Sequence, residues 1–360
     1  MKHLVIVLAI GLGLNIQAQD TLRVLFLGNS YTTSNNLPNL VSQFAAANGD
    51  VVITDSNTPG GHTFYQHSTN ETSLEKIQQG NWDYVVLQDQ SQVPTIDFLR
   101  FNWMYPGVES LHESITNSNL CAQTVMYMTW GRQYGGMQCT TNGEYCSVDF
   151  VDFSHMTDTL ASAYNEIASM VGAKVAPVGK AWDYALTYST TDPALVLHSS
   201  DESHPNYSGS YLAAAVFHGL IWGESPVENS FFGSLNQSQA AYLQEAAHAV
   251  LLEYSDYNST ISNDCTLHIE GNEIIYQPQG YYTYQWFDEY GEAIQEANNN
   301  SFAPTESGTY TIEVSDALGC TISCSEEIEI QGIEENNIEW VWVGSRTLKT
   351  SEVGLFNIQI

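Results

Sequence analysis

The sequence predicts an α/β domain with a parallel sheet, followed by a small β-sandwich. Predicted strands and helices alternate from residue 22 to residue 254, which is typical of a sheet covered by helices on both faces. After about Asn263 the pattern changes to short strands between turns, and residues 263–331 contain thirteen Asp or Glu but no Lys or Arg. A chain of 360 residues, 43% of them hydrophobic, is long enough for both domains.

Short apolar runs predict the strands of the α/β domain, and the first of them, Leu22 to Leu27, runs directly into Gly28. The others are Val51 to Thr54, Trp82 to Leu87, Thr124 to Met128 and Lys174 to Val178. Helical spacing of apolar residues predicts helices over Leu37 to Ala47, Met156 to Val171, Tyr207 to Ile221 and Gln237 to Tyr254. The C-terminal strands are predicted at Glu273 to Tyr276, Thr283 to Phe287, Thr309 to Val314 and Glu327 to Ile330.

The charge balance limits the classes of partner. With 9 Lys or Arg against 41 Asp or Glu, the formal net charge is −32. Nucleic acids and anionic membranes are bound by basic surfaces, so neither is expected as a partner. No segment is long and apolar enough to predict a membrane span.

The N-terminus predicts export. Lys2 and His3 precede a short apolar run that ends near Ala18, as in a signal peptide over residues 1–18. A secreted or cell-surface location permits disulfides among the six cysteines. Cys139 with Cys146 is one expected pair and Cys265 with Cys320 another, which leaves Cys121 and Cys324 without an obvious partner.

Three groups of residues point to nucleophilic catalysis. Ser30 follows the first strand at a predicted turn, where its hydroxyl is expected at the carboxyl edge of the sheet. Asp201 and His204 are three residues apart before a helix, so the carboxylate can orient the imidazole to take a proton from a hydroxyl. The backbone N–H groups of Ser30 and Gly61, with a side-chain amide of Gln88 or Gln90, are the candidate oxyanion donors.

These motifs together resemble the SGNH (GDSL-like) hydrolases over about Leu22 to Tyr254. Gly28-Asn29-Ser30 matches the nucleophile block, Gly61 the glycine block, and Asp201-x-x-His204-Pro205 the most specific block. The resemblance implies a flavodoxin-like α/β/α fold over residues 19–258, a Ser-His-Asp triad, and esterase chemistry without metal or cofactor. The sequence departs from the family after the third strand, where Leu87-Gln88-Asp89-Gln90-Ser91 replaces Gly-x-Asn-Asp, and a Gln is expected to replace the Asn.

The C-terminal region resembles Ig-like modules of secreted Bacteroidota enzymes. Tyr284-Gln285-Trp286-Phe287 and the segment from Ser307 to Cys320 carry this likeness, which places the module at residues 263–331. Residues 332–360 resemble a degenerate sorting signal.

The sequence therefore predicts a secreted serine esterase that deacetylates a carbohydrate, while a lipase or thioesterase of the same family is an alternative. Trp130 fits a position in the strand and core, and the alternative is a sugar-facing platform formed by Tyr31 and Trp130. Arg132, just after the fourth strand, is a candidate for orienting the substrate. A second alternative is an inactive binding or adhesion protein, because the expected Asn is missing. Zinc held by His198, Asp201 and His204 is a third.

Overall fold

The computed structural model describes residues 21–191, 194–255, 267–270, 273–276, 283–315 and 320–328. The predicted signal peptide (1–18) and C-terminal tail (332–360) lie outside these residues, as does Cys265. Within the described residues, no helix combines the length and the hydropathy needed to cross a bilayer.

The α/β domain contains a parallel sheet with the strand order β2-β1-β3-β4-β5. This is the doubly wound order of flavodoxin-like folds, in which ligands bind beyond the carboxyl ends of the strands. The strands are β1 (Leu22–Leu27), β2 (Val52–Asn57), β3 (Tyr84–Leu87), β4 (Gln123–Tyr127) and β5 (Lys174–Ala176). All five predicted strands are present, with ends shifted by up to three residues.

Helices lie along both faces of the sheet. They are α1 (Ser30–Thr33), α2 (Leu37–Asn48), α3 (Phe64–His67), α4 (Glu71–Ile77), α5 (Asp97–Leu99), α6 (Tyr105–Ser118), α7 (Phe153–Val171), α8 (Val178–Tyr188), α9 (Tyr207–Trp222) and α10 (Gln237–Glu253). A π-helical turn, Arg100–Met104, joins α5 to α6. The sequence pattern predicted α2, α7, α9 and α10, and it missed α6, α8 and the four short helices α1, α3, α4 and α5. It also assigned Val178 to a strand, although this residue begins α8.

The alternation of side chains along each strand divides the core into two layers. Val24 and Phe26 face the layer built with α2, α8, α9 and α10, whereas Leu25 and Leu27 face the layer built with α6 and α7. All four side chains are buried, because a central strand of a three-layer fold has no solvent-exposed face.

The C-terminal region forms antiparallel strands in two three-stranded sheets, with orders β11-β10-β8 and β6-β7-β9. The strands are β6 (Leu267–Glu270), β7 (Glu273–Tyr276), β8 (Thr283–Phe287), β9 (Ser301–Phe302), β10 (Gly308–Ser315) and β11 (Thr321–Ile328). One apolar cluster contains buried side chains from both sheets, including Ile274 of β7 and Trp286 of β8. The sheets therefore share a core that contains Trp286.

The disulfides differ in part from the prediction. Cys139 is bonded to Cys146, as expected. Cys320 is bonded to Cys121, with the two Cα atoms 5.2 Å apart, so the expected bond between Cys265 and Cys320 is wrong. Cys324 is also disulfide-bonded. The Cys121–Cys320 bond joins the α/β domain to the β-region, a contact between distant segments that spacing along the chain could not indicate.

Candidate active site

Ser30 lies in a turn that polar side chains hold from several sides. It begins α1, and the side chain of Asn29 caps this helix by accepting the N–H of Tyr31. The Gln88 side-chain oxygen accepts the Asn29 N–H and the Thr32 hydroxyl, each at 2.9 Å. A Cβ atom on Gly28 would lie 2.7 Å from that oxygen, so the glycine is required by close approach rather than by its dihedral angles.

His204 lies between Ser30 and Asp201. Its Nε2 is 2.8 Å from Ser30 Oγ, and its Nδ1 is 2.5 Å from Asp201 Oδ2. An ionised carboxylate can only accept a hydrogen bond, so Nδ1 carries the ring proton and donates it to Asp201 Oδ2 as a hydrogen bond. Nε2 is then unprotonated and can accept the hydroxyl proton of Ser30. The structure thus brings together the three side chains that the sequence singled out.

The loop before α9 fixes the carboxylate. Asp201 Oδ1 accepts the backbone N–H groups of Ser203 and His204 at 3.1 and 2.9 Å, and Glu202 between them adopts a left-handed φ of 63°. Burial acts to raise the pKa of Asp201, but the hydrogen bonds from the His204 side chain and from these N–H groups together lower the pKa below its usual value. Asp201 is therefore kept ionised, as a partner for an imidazolium must be.

The expected aromatic platform is wrong. Trp130 is 0% exposed and Tyr31 3% exposed, and the two rings stack on each other at 4.7 Å beneath the loop that carries His204. The Tyr31 hydroxyl is 2.6 Å from Ser203 Oγ, and the Trp130 indole N–H donates to the Ser203 carbonyl. Arg132 donates to the Tyr31 hydroxyl at 2.9 Å. These residues support the His204 loop from below and present no ring face to a substrate.

The two glutamines occupy different environments. Gln88 is fully buried, its oxygen holds the nucleophile turn, and its amide group contacts the Asp89 carbonyl. Gln90 is partly exposed, and its Oε1 accepts the N–H of Gln92 at 2.8 Å, which fixes the amide plane. Gln90 is therefore the more accessible of the two amides, and its Nε2 donates to Ser91 Oγ at 3.4 Å.

Gly61 lies in an exposed turn after β2, in the left-handed region with φ of 69°. Asn29 Nδ2 donates to the carbonyl of His62 at 2.9 Å. This bond ties the glycine turn to the turn that carries Ser30, so the two segments keep a fixed relation.

Sequence reasoning missed two buried polar residues at this edge of the sheet. His67 is buried, and its Nε2–H donates to the Gly28 carbonyl at 2.8 Å. Burial lowers the pKa of His67 to about 4, so the ring is neutral at physiological pH. Asp89 is also buried, and burial raises its pKa to about 7 against the opposing effect of two backbone N–H donors. An acidic residue two positions beyond an apolar strand was the available signal for Asp89.

The proposed zinc ligands do not converge. His198 is buried, and its Nε2–H donates to the Gly131 carbonyl at 3.0 Å. Throughout the part of the chain that the structure describes, no group of three or more His, Cys, Asp or Glu side chains is placed to hold a metal ion.

Comparison with known proteins gives a fold relationship. No protein-family model matches the chain, and no curated protein matches it. A DUF4886 family protein from Bacteroides uniformis is similar in structure, with a TM-score of 0.53 and 20% sequence identity over 65% of this chain and 95% of that one. The two proteins share a fold.

Other solved structures align less well. A putative GDSL-like lipase from Parabacteroides merdae has a TM-score of 0.38 at 13% identity, covering 56% of this chain and 96% of that one. A psychrotrophic esterase from Pseudoalteromonas has a TM-score of 0.38 at 14% identity, covering 56% of this chain and 97% of that one.

Proposed function

We propose that the protein is a serine ester hydrolase that removes acyl groups, foremost acetyl, from a carbohydrate. The observation that carries the proposal is the position of His204, within hydrogen-bond distance of both Ser30 Oγ and the Asp201 carboxylate. A nucleophile, a base and a group that orients the base form the arrangement needed for acyl transfer.

In the proposed reaction, Ser30 Oγ attacks the ester carbonyl carbon while its proton passes to His204 Nε2. The tetrahedral intermediate then collapses: the bond between the carbonyl carbon and the alcohol oxygen breaks, and His204 returns its proton to the leaving alkoxide. Water attacks the acyl-enzyme by the same route and releases the carboxylic acid and free Ser30. Asp201 holds the imidazole in its tautomer and stabilises the imidazolium between the two proton transfers.

The proposed oxyanion donors are the N–H groups of Ser30 and Gly61 and the side-chain amide of Gln90. Gln90 is preferred to Gln88 because Gln88 is fully buried and its amide nitrogen already donates to the Asp89 carbonyl. Loss of one such donor raises an acyl-transfer barrier by about 2.7–4 kcal/mol.

The substrate class rests on the motif resemblance and on charge. The resemblance favours short acyl esters of carbohydrates. A chain with 41 acidic and 9 basic residues repels polyanions, so a neutral glycan is preferred to an anionic lipid surface. The proposal also includes export through the predicted signal peptide and a C-terminal sorting signal. The β-region is proposed to be an Ig-like module that attaches the enzyme to a polymer or to the cell surface.

Turnover of p-nitrophenyl acetate by the full chain, followed by a panel of acetylated polysaccharides, tests the function. We expect Ser30→Ala to abolish turnover and labelling by a serine-directed phosphonate, whereas Ser110→Ala, at an exposed position on α6, retains both. EDTA should leave turnover unchanged. Absence of turnover, or turnover that survives Ser30→Ala, would overturn the proposal, and loss to EDTA with recovery on zinc would favour a metal-dependent hydrolase.

A further inference from the structure

Asp89 connects two loops at the carboxyl edge of the sheet. Its side chain is 0% exposed. One oxygen, Oδ1, accepts the backbone N–H of Phe64 at 3.0 Å and that of Gln90 at 2.7 Å. The other oxygen, Oδ2, is buried without a hydrogen-bond partner among the described residues. Burying a carboxyl group with one unpaired oxygen lowers the free energy of unfolding. Its presence beside the candidate site therefore calls for a functional explanation.

The two N–H groups belong to the segments that carry two proposed oxyanion donors. Phe64 begins α3, directly after the turn that contains Gly61, and Thr63 caps this helix with a reciprocal pair of hydrogen bonds to Gln66. Gln90 carries the side-chain amide. One carboxyl oxygen therefore joins both segments through their backbones.

We propose that Asp89 is a positioning residue, which holds the turn of Gly61 and the backbone of Gln90 at the separation that two oxyanion donors require. This inference rests on the proposed ester hydrolysis. Asp89 touches no reacting atom and acts through Phe64 and Gln90.

The bridge requires an acceptor and does not require a charge. When the carboxyl group is neutral, the proton resides on Oδ2, and Oδ1 still accepts both N–H groups. Tyr164 of α7 is the titratable side chain in contact, since its hydroxyl accepts the Asp89 N–H at 3.2 Å. Ionised Asp89 would place a negative charge beside the donors, where it opposes a developing oxyanion. The neutral form is therefore the better positioning group.

Two substitutions in the full chain separate these effects. Asp89→Ala removes the bridge, and we expect kcat for p-nitrophenyl acetate to fall about 100-fold while KM changes less than about 3-fold. Asp89→Asn keeps an oxygen for both N–H groups, so its kcat should stay within about 3-fold of the wild type. The Asn variant should also lose any decline of kcat above neutral pH that comes from ionisation of Asp89.

Asp83 provides the matched control, because its carboxylate accepts the Arg23 N–H at 2.7 Å near the opposite end of β3. Asp83→Ala should leave kcat within about 3-fold. Hydrogen exchange gives a readout that does not depend on turnover: Asp89→Ala should accelerate exchange in peptides covering residues 60–64 and 90–92, whereas Asp89→Asn should not.

Unchanged exchange and kcat in Asp89→Ala, or an Asn variant as impaired as the Ala variant, would overturn the proposal. If Asp89→Ala fails to fold, the Asn variant decides: retained kcat without the alkaline decline supports positioning, and a loss of about 100-fold overturns it. A wild-type protein without esterase turnover would refute the proposed function alone, because the exchange data would still test whether Asp89 holds the two loops together.

Discussion

Replacing Asp89 with Asn should stabilise the protein at alkaline pH. Burial raises the pKa of Asp89 from its ordinary value of 3.8 to about 7. Folding above pH 4 therefore forces a carboxylate that is ionised in the unfolded chain either to take up a proton or to remain as a buried charge. An Asn side chain imitates the neutral acid, since its oxygen can accept the N–H groups of Phe64 and Gln90 and its amide replaces the unpaired Oδ2.

The magnitude follows from the difference between the two pKa values, which is about 3 and corresponds to about 4 kcal/mol. Because the folded pKa is raised, the stabilisation provided by the neutral carboxyl is complete below pH 4 and is lost as the pH rises to 7. The Asn variant should match the wild type near pH 4 and exceed its free energy of unfolding by about 4 kcal/mol above pH 7. For a domain of this size, that is a rise in melting temperature of roughly 8–16 °C.

Calorimetry of the full chain at pH 5 and pH 8, at equal ionic strength, measures the effect. His67, whose pKa burial lowers to about 4, gives the opposite trend between pH 4 and 6.5, but it does so in both proteins and cancels in the difference. Asp97→Asn, at an exposed position paired with Arg100, should shift the melting temperature little at either pH. An Asp89→Asn variant that is less stable at pH 8, or equally shifted at both pH values, would refute the reasoning.

Two further predictions concern the glutamines and the β-region. Gln90→Ala should lower kcat for p-nitrophenyl acetate about 100- to 1,000-fold and leave the fold intact. Gln88→Ala should instead destabilise the fold by about 1–3 kcal/mol, because the buried Asn29 N–H loses its acceptor. Melting temperatures and kinetics of both variants distinguish these outcomes, and the reverse pattern would make Gln88 the oxyanion donor. A chain that ends at residue 255 and carries Cys121→Ser should turn over small esters at a rate within about 2-fold of the full-length Cys121→Ser variant. The reason is that Cys121 precedes β4, at the edge of the sheet opposite to Ser30. A truncated chain that folds but loses turnover would contradict the assignment of the active site to residues 21–255.

Local patterns predicted the sheet because each strand carries its own signal. Leu22 to Leu27 is apolar throughout and ends at a glycine, as expected for a strand buried on both faces. Helix α8 was missed because the apolar run from Lys174 continues into Val178 without a break in hydropathy. The structure ends the strand at Ala176, and Pro177 precedes the first residue of the helix.

At the site, Asp201 and His204 were predictable because the contact between them is local in sequence. Alternation along an extended strand would place Gln88 and Gln90 on one face. That rule failed because β3 ends at Leu87, and beyond a strand the period of two no longer fixes where side chains point. For Trp130 the core position is confirmed and the platform alternative is wrong. The sequence left both open because hydropathy cannot distinguish a ring that faces solvent from one that stacks at 3.9 Å on Trp182.

The three loops at the carboxyl edge are joined to one another by polar contacts between side chain and backbone. Gln88 binds the turn of Ser30, Asn29 binds the turn of Gly61 through His62, and Asp89 binds both the start of α3 and Gln90. Apolar contacts are non-directional and fix distance loosely, whereas a hydrogen bond depends on direction and weakens as its partners separate beyond about 3.2 Å. Oxyanion donors that must not reorganise during a reaction need to be held by hydrogen bonds. Under the proposed ester hydrolysis, that requirement accounts for the buried side chains of Asn29, Gln88 and Asp89 beside Ser30.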